Sequence, residues 1–278
     1  KKPIVLGGVE ASLRRLSHYD YWDNDVRRPI LLDAKADILV YGPGEFQIRE
    51  IANRLNDIFK NISAPKKKLW TKALDNIPGT CVVKKGDEEI QSKKGERMIK
   101  LPSHQQVIKD PKKFCEMQTK FSNQANLEQK VKKRKVVQYK QHQYTTEELD
   151  ALYDLPFSYN IPDKYDELDM AQFSIVTHRG CIGNCNFCAI RLHQGDKIVS
   201  RSQESVLKEI ERMKEHPDFK GYIEDLGGPS ANMYGMDCET SAFCTKECIR
   251  CSNLDRSHKA LTELLKKSRN VEEIKKVF

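Results

Sequence analysis

The sequence predicts an α/β fold, and three observations carry that expectation. Near the N-terminus a short apolar run, a glycine turn and a helical pattern follow one another twice. From about residue 173 the order is strand, loop, helix, strand, loop, helix, strand. Between these parts lies a polar, lysine-rich stretch with little sustained periodicity.

Ile4-Val5-Leu6 runs into Gly7-Gly8, and Val9 to Leu16 reads as helical. A second strand, 36–41, ends at Gly42-Pro43-Gly44-Glu45, after which Ile48, Ile51, Ala52, Leu55, Ile58 and Phe59 recur at helical spacing. Strand, glycine turn and helix, repeated, marks a parallel α/β layer. Two such units are too few to close a sheet, so residues 1–60 are expected to be the C-terminal part of a Rossmann-like domain. Residues 61–144 read as a basic connecting or inserted segment. Within it, 80–83 and 97–101 could be small strands, and 130–140 a solvated strand or loop. Residues 145–278 open with Thr145 and Glu148 at capping-box spacing. A strand at 173–177 precedes a cysteine loop, and Ser202 can cap a helix with Val206, Ile210 and Met213 on one face. A strand at 221–223 leads to Asp225-Leu226-Gly227-Gly228-Pro229, followed by a helix at 260–267 and a strand-like Val277-Phe278. This order suits a parallel barrel or a doubly wound sheet. It stops at a third strand and starts at Lys1 without methionine, so truncation at both ends is expected.

Composition narrows the class. Hydrophobic residues at 38% and charged residues at 32% describe a globular chain with a core, not a disordered one. No apolar run approaches the about 20 residues that span a bilayer, so no membrane contact is expected. The net charge of +8 is localised: residues 66–140 hold 20 Lys/Arg against 8 Asp/Glu, and the rest hold 28 against 32. Such a segment is either a solvated lysine-rich surface, the commoner case, or a nucleic-acid contact. Seven of the nine cysteines fall in two tight groups, Cys81 and Cys115 standing apart. An odd, clustered count in a chain of this size excludes a secreted disulfide framework and predicts cytoplasmic metal or cofactor ligands.

The octet Cys181-Ile182-Gly183-Asn184-Cys185-Asn186-Phe187-Cys188 is the most informative. Thiolates suit iron–sulfur clusters and zinc alike. An electron-transfer 4Fe–4S cluster takes four cysteines, so three in one loop leave one iron open, as catalytic zinc sites keep a position for substrate. The competing reading is half of a zinc site, completed by Cys238 and its neighbours. His178 and His193 flank the loop, either as further ligands or, the commoner case, as hydrogen-bonding neighbours, and Gly180 and Gly183 let it wrap tightly.

Cys-x3-Cys-x-aromatic-Cys, with Phe187 as the aromatic, after the first strand of a β/α series, resembles the radical S-adenosylmethionine (radical SAM) motif. The runs 174–190 and His193-Gln194-Gly195 are similar to the YgiQ-type branch, as are the runs 7–15, 18–22 and 227–232. The resemblance implies a partial radical SAM (β/α) barrel preceded by the tail of a Rossmann-like domain. It implies a 4Fe–4S cluster on Cys181, Cys185 and Cys188 whose open iron binds S-adenosyl-L-methionine. Reductive cleavage to a 5′-deoxyadenosyl radical would then act on an unknown substrate, with an electron donor such as flavodoxin or ferredoxin. Gly227, Gly228 and Phe187 would lie on the cofactor side. Pro229 follows where many members place an acidic residue, and the cobalt-ligating histidine motif of cobalamin domains is not in the sequence.

Cys238-x5-Cys244-x3-Cys248-x2-Cys251 supplies four thiols, the number that fills a structural zinc site or a second iron–sulfur cluster. The YgiQ-type resemblance would place them at wider spacing, and reduced thiols without metal are the competing reading. Two other functions stay open: an RNA-modifying radical SAM protein, argued from the basic segment, and a non-catalytic metal-stabilised binding module.

Overall fold

The first apolar run forms β1 (Val5–Leu6), and the turn at Gly8 starts α1 (Val9–Leu13), shorter than the helix expected to reach Leu16. β1 pairs in parallel with β4 (Ile38–Val40), whose residues are all buried. Between them lie a hairpin, β2 (His18–Asp20) and β3 (Asp25–Arg27), and a single turn, α2 (Ile30–Asp33). α3 (Glu45–Asn61) follows β4; Ile51 is buried and Ile48 and Phe59 are exposed, so its apolar face is narrower than the spacing suggested. The computed structural model describes residues 2–63, 65–88, 90, 97–162, 168–229, 232–238, 244 and 248–278. The chain divides into two units, residues 1–142 and 143–278.

The segment 61–144 is not a connector. After α4 (Lys67–Ala73) come β5 (Thr80–Lys85), β6 (Met98–Lys100), α5 (His104–Lys109), α6 (Pro111–Lys120), β7 (Asn126–Val131) and β8 (Arg134–Gln138). These four strands join the first two in one sheet, order β1-β4-β5-β8-β7-β6. Its outer pairs are parallel and its three inner pairs antiparallel, so the Rossmann-like beginning continues as a mixed α/β sheet. Leu39, Leu127 and Val136 pack on one face, and Ile38, Val40, Trp70 and Val137 on the other. The hydrophobic pattern concealed these strands because they bury polar residues. Lys135 Nζ lies 3.0 Å from Glu128 Oε2, both side chains buried. Gln138 accepts from the buried Arg15 guanidinium (2.7 Å) and donates to the carbonyls of Ser122 and Ala125. Satisfied polar groups can be buried without breaking a sheet, but they erase its alternation. The basic excess is also partly neutralised, since Lys67, Lys84, Lys100, Lys113, Lys120 and Lys135 each face a carboxylate.

In the second unit the capping box forms, with Thr145 and Glu148 bonding reciprocally at the start of α7 (Thr146–Tyr153). α8 (Asp169–Gln172) leads into β9 (Ser174–Val176). Then β10 (His178–Arg179) and β11 (Val199–Ser200) pair antiparallel, enclosing the cysteine loop and α9 (Ile190–Gln194). Ser202 caps α10 (Gln203–Lys214) through the Ser205 N–H at 3.0 Å. β12 (Tyr222–Ile223), β13 (Asp225–Gly227), α11 (Lys259–Arg269) and β14 (Lys276–Val277) follow. β13 runs parallel to β9, and β12 parallel to β14, so α10 and α11 act as crossovers between parallel strands. Phe173, Ile175, Val206, Ile210, Met213, Ile223, Leu226, Leu264 and Val277 form the core beneath them. Among the described residues these strands form pairs and do not close a barrel. No helix among them is long and apolar enough to cross a membrane.

Candidate metal centre

The cysteine loop hangs from the ends of two parallel strands. Past β9, the Thr177 N–H donates to Gly227 O at 2.6 Å and its hydroxyl to the same oxygen at 2.9 Å. Thr177 O in turn accepts from the Arg201 N–H at 2.9 Å. Gly180 then turns the chain at φ +91°, where a Cβ would stand 1.8 Å from the Lys197 carbonyl oxygen, so only glycine fits. The Cys181 N–H donates to Gly195 O at 3.0 Å, closing the neck of the loop.

Within the loop, the Cys188 N–H donates to Cys185 O at 3.1 Å, folding Cys185 to Cys188 into one tight turn. The sulfurs of Cys181 and Cys185 lie 3.4 and 3.7 Å from where a Cβ on Gly183 would be, so both converge over that glycine. Cys185 is exposed, and Cys181 and Cys188 are half-buried. Among the described residues no three His, Cys, Asp or Glu side chains are arranged to hold one ion. By chemistry, three soft thiols carried on one loop are the donor set that the cluster implied by the resemblance would take.

The three residues expected on the cofactor side lie near the loop in different settings. Phe187 is 93% exposed. Gly227 ends β13 directly beside β9, and a Cβ there would meet the carboxylate of Asp225 at 3.1 Å. A Cβ on Gly228 would stand 2.2 Å from the His178 ring. The group that closely approaches Gly228 is thus a side chain of this protein, where the sequence reading invoked a ligand. His178 is buried, its Nδ1 3.0 Å from the Thr177 hydroxyl.

Sequence reasoning missed what supports the loop. Arg201 is buried, ion-paired with the buried Glu209, and lies 4.2 Å over the Tyr153 ring. It donates to Val176 O at 2.9 Å, tying α10 to the end of β9. Nothing in the sequence marked this arginine, because a charged residue beside a helix cap ordinarily faces solvent. Cys238, Cys244, Cys248 and Cys251 line a single cavity with Ile182 and Lys197, next to the first loop. Cys81 lies in the core of the first unit, and burial pushes its thiol up to about 12, so it is chemically inert.

A family model described as Radical SAM N-terminal matches residues 1–178. The chain is 43% identical to the UPF0313 protein of Methanocaldococcus jannaschii, over 97% of this chain and 44% of that one. It is 40% identical to the UPF0313 protein of Methanosarcina mazei, over 99% of this chain and 50% of the relative. A UPF0313 protein of Clostridium perfringens is also 40% identical, over 99% and 42% respectively. The chain spans about half the length of these relatives or less. With the family model covering well over half of its residues, this chain belongs to the radical SAM superfamily, among the proteins that carry the Radical SAM N-terminal domain.

Proposed function

We propose that the protein is a radical SAM enzyme whose cluster is held by Cys181, Cys185 and Cys188. The observation that carries this reading is the loop itself: three cysteines in one loop beyond β10, two of them converging over Gly183. When bound, the cluster supplies one electron that splits S-adenosylmethionine into methionine and a 5′-deoxyadenosyl radical, which takes hydrogen from a substrate. The chain's own residues hold and orient. Gly180 and the Cys181–Gly195 bond fix the neck of the loop, and Thr177 locks β9 to Gly227. Gly227 and Gly228, at the end of the neighbouring strand, would form the wall facing the methionine end of the cofactor. Phe187, free of packing on the loop surface, would turn onto the adenine.

In this reading β9, β12 with β13, and β14 are the first strands of a radical SAM barrel. The electron would come from a reduced flavodoxin or ferredoxin, and the protein would work in the reducing cytoplasm, where thiolate-held clusters persist. The test is anaerobic reconstitution with iron and sulfide, followed by S-adenosylmethionine and a chemical reductant. Formation of 5′-deoxyadenosine by the parent protein, and its loss in Cys185→Ala, is the expected result. A cluster that forms but never yields 5′-deoxyadenosine would leave a metal-stabilised binding module.

A further inference from the structure

The sequence supplies a second cysteine group for which the radical SAM reading has no use. Cys238, Cys244, Cys248 and Cys251 all line one cavity of about 210 Å³, with Ile182, Lys197, Ile198, Met236 and Asp237 in its remaining wall. Four thiols on a common cavity are the full complement for either a tetrahedral zinc or a closed iron–sulfur cluster.

Two features favour a cluster over a single zinc. The first is size. A single water needs about 10–15 Å³ of such space, so this cavity is more than ten times what one small occupant requires. The second is backbone geometry. The Cys251 N–H donates to Cys248 O at 2.9 Å, closing a turn with the same hydrogen-bond spacing as the one that joins Cys188 to Cys185 at 3.1 Å.

Lys197 Nζ donates to Cys248 Sγ at 3.5 Å, fixing that sulfur on the cavity wall. Arg256 braces the turn from outside, its guanidinium donating to Ile249 O at 2.9 Å and Cys251 O at 3.0 Å. Asp237, next to Cys238, is held by the Ser200 N–H at 2.7 Å.

We propose that Cys238, Cys244, Cys248 and Cys251 hold a second 4Fe–4S cluster, fully ligated by the chain and so closed to S-adenosylmethionine. Ile182, adjacent to Cys181, and Lys197, whose carbonyl packs on Gly180, both border the cavity. The cavity that would hold the second cluster thus borders the first loop at Ile182 and Lys197. This inference does not depend on the proposed SAM cleavage: iron and sulfide counts carry its test, and only the assignment of a signal to the first loop rests on the reading that S-adenosylmethionine binds there.

The experiment is anaerobic reconstitution with metal and sulfide analysis and Mössbauer spectroscopy. The variant C181A/C185A/C188A should retain about four iron and four sulfide ions per chain. C248S/C251S should lose that quantity and keep the other cluster, recognisable by an electron paramagnetic signal that changes on adding S-adenosylmethionine. Should the triple variant fail to fold, the parent protein still decides: about eight irons, half of them in a species indifferent to S-adenosylmethionine, support the second cluster. About one zinc without sulfide in the second site, or iron for a single cluster only, would overturn it.

Discussion

Replacing Gly180 with alanine isolates what the loop's geometry contributes. At φ +91° an L-residue carries backbone strain of about 1–3 kcal/mol. The added methyl would also stand 1.8 Å from a backbone oxygen, Lys197 O, with no flexible side chain to yield, an overpacking cost of about 1–3 kcal/mol. Together roughly 2–6 kcal/mol favour parting the neck of the loop from 195–198. Local parting relieves both terms without unfolding the unit, so the Cys181–Gly195 bond is the expected casualty. Hydrogen exchange of the peptide covering 178–200 should then accelerate, and reconstituted iron at the triad should fall several-fold. Gly183→Ala is the informative contrast. Its Cβ meets only the two cysteine sulfurs at 3.4 and 3.7 Å and no backbone strain applies, so exchange should be unchanged while the space over that glycine fills. A Gly180→Ala protein with native exchange and full iron would refute the claim that this contact holds the loop.

Three further outcomes follow from the same geometry. Gly228→Val should destabilise the second unit by driving Cβ into the His178 ring, and His178→Ala should restore much of the loss in chemical denaturation; no rescue would refute the clash with the ring as the cause. Glu209→Ala should cost about 3–5 kcal/mol, because it strands the buried Arg201 charge, and the double change with Arg201→Met should cost less; chemical denaturation of both variants checks it. In the first unit, burial holds the buried His104 below its ordinary 6.5, so the unfolded chain takes up its proton first. The stability it permits is complete above about pH 6.5 and is lost as pH falls below that value. Trp22 and Trp70 both lie in that unit, so fluorescence-monitored urea midpoints should drop between pH 6.5 and 5, and drop less in His104→Gln.

What could be read from the sequence was what local chemistry fixes. The box at Thr145 and Glu148, the cap at Ser202 and the shared face of Val206, Ile210 and Met213 needed only near neighbours, and each forms. The strands at 80–83 and 97–101 were visible as apolar patches, but their membership of one sheet was not. That pairing rests on Glu128 against Lys135 and on Arg15 with Gln138, polar contacts across as many as 123 residues that no window of sequence displays. Cysteine number and spacing picked out both groups. The hairpin of β10 and β11 around the first group was not legible, since two residues in each strand leave no period to read.

That hairpin also explains why the two groups should be considered together. The first loop is gripped at its neck, where Gly180 packs on Lys197 O and the Cys181 N–H meets Gly195 O. The chain leading to the second group is gripped at the end of the same hairpin. The Tyr234 hydroxyl donates to Arg201 O at 3.0 Å, the Gly235 N–H to Ser200 Oγ at 2.9 Å, and the Ser200 N–H to Asp237 at 2.7 Å. Arg201, fixed by Glu209 and Val176 O, anchors this end to α10 and to β9. Residues 195–201 are thus a strut shared by the two cysteine loops, and Lys197 touches both, through its carbonyl and its side-chain nitrogen. The loops also meet at Ile182, which borders the cavity of the second group. The strut is braced by a buried ion pair and by backbone hydrogen bonds, so its position is set by the folded unit itself.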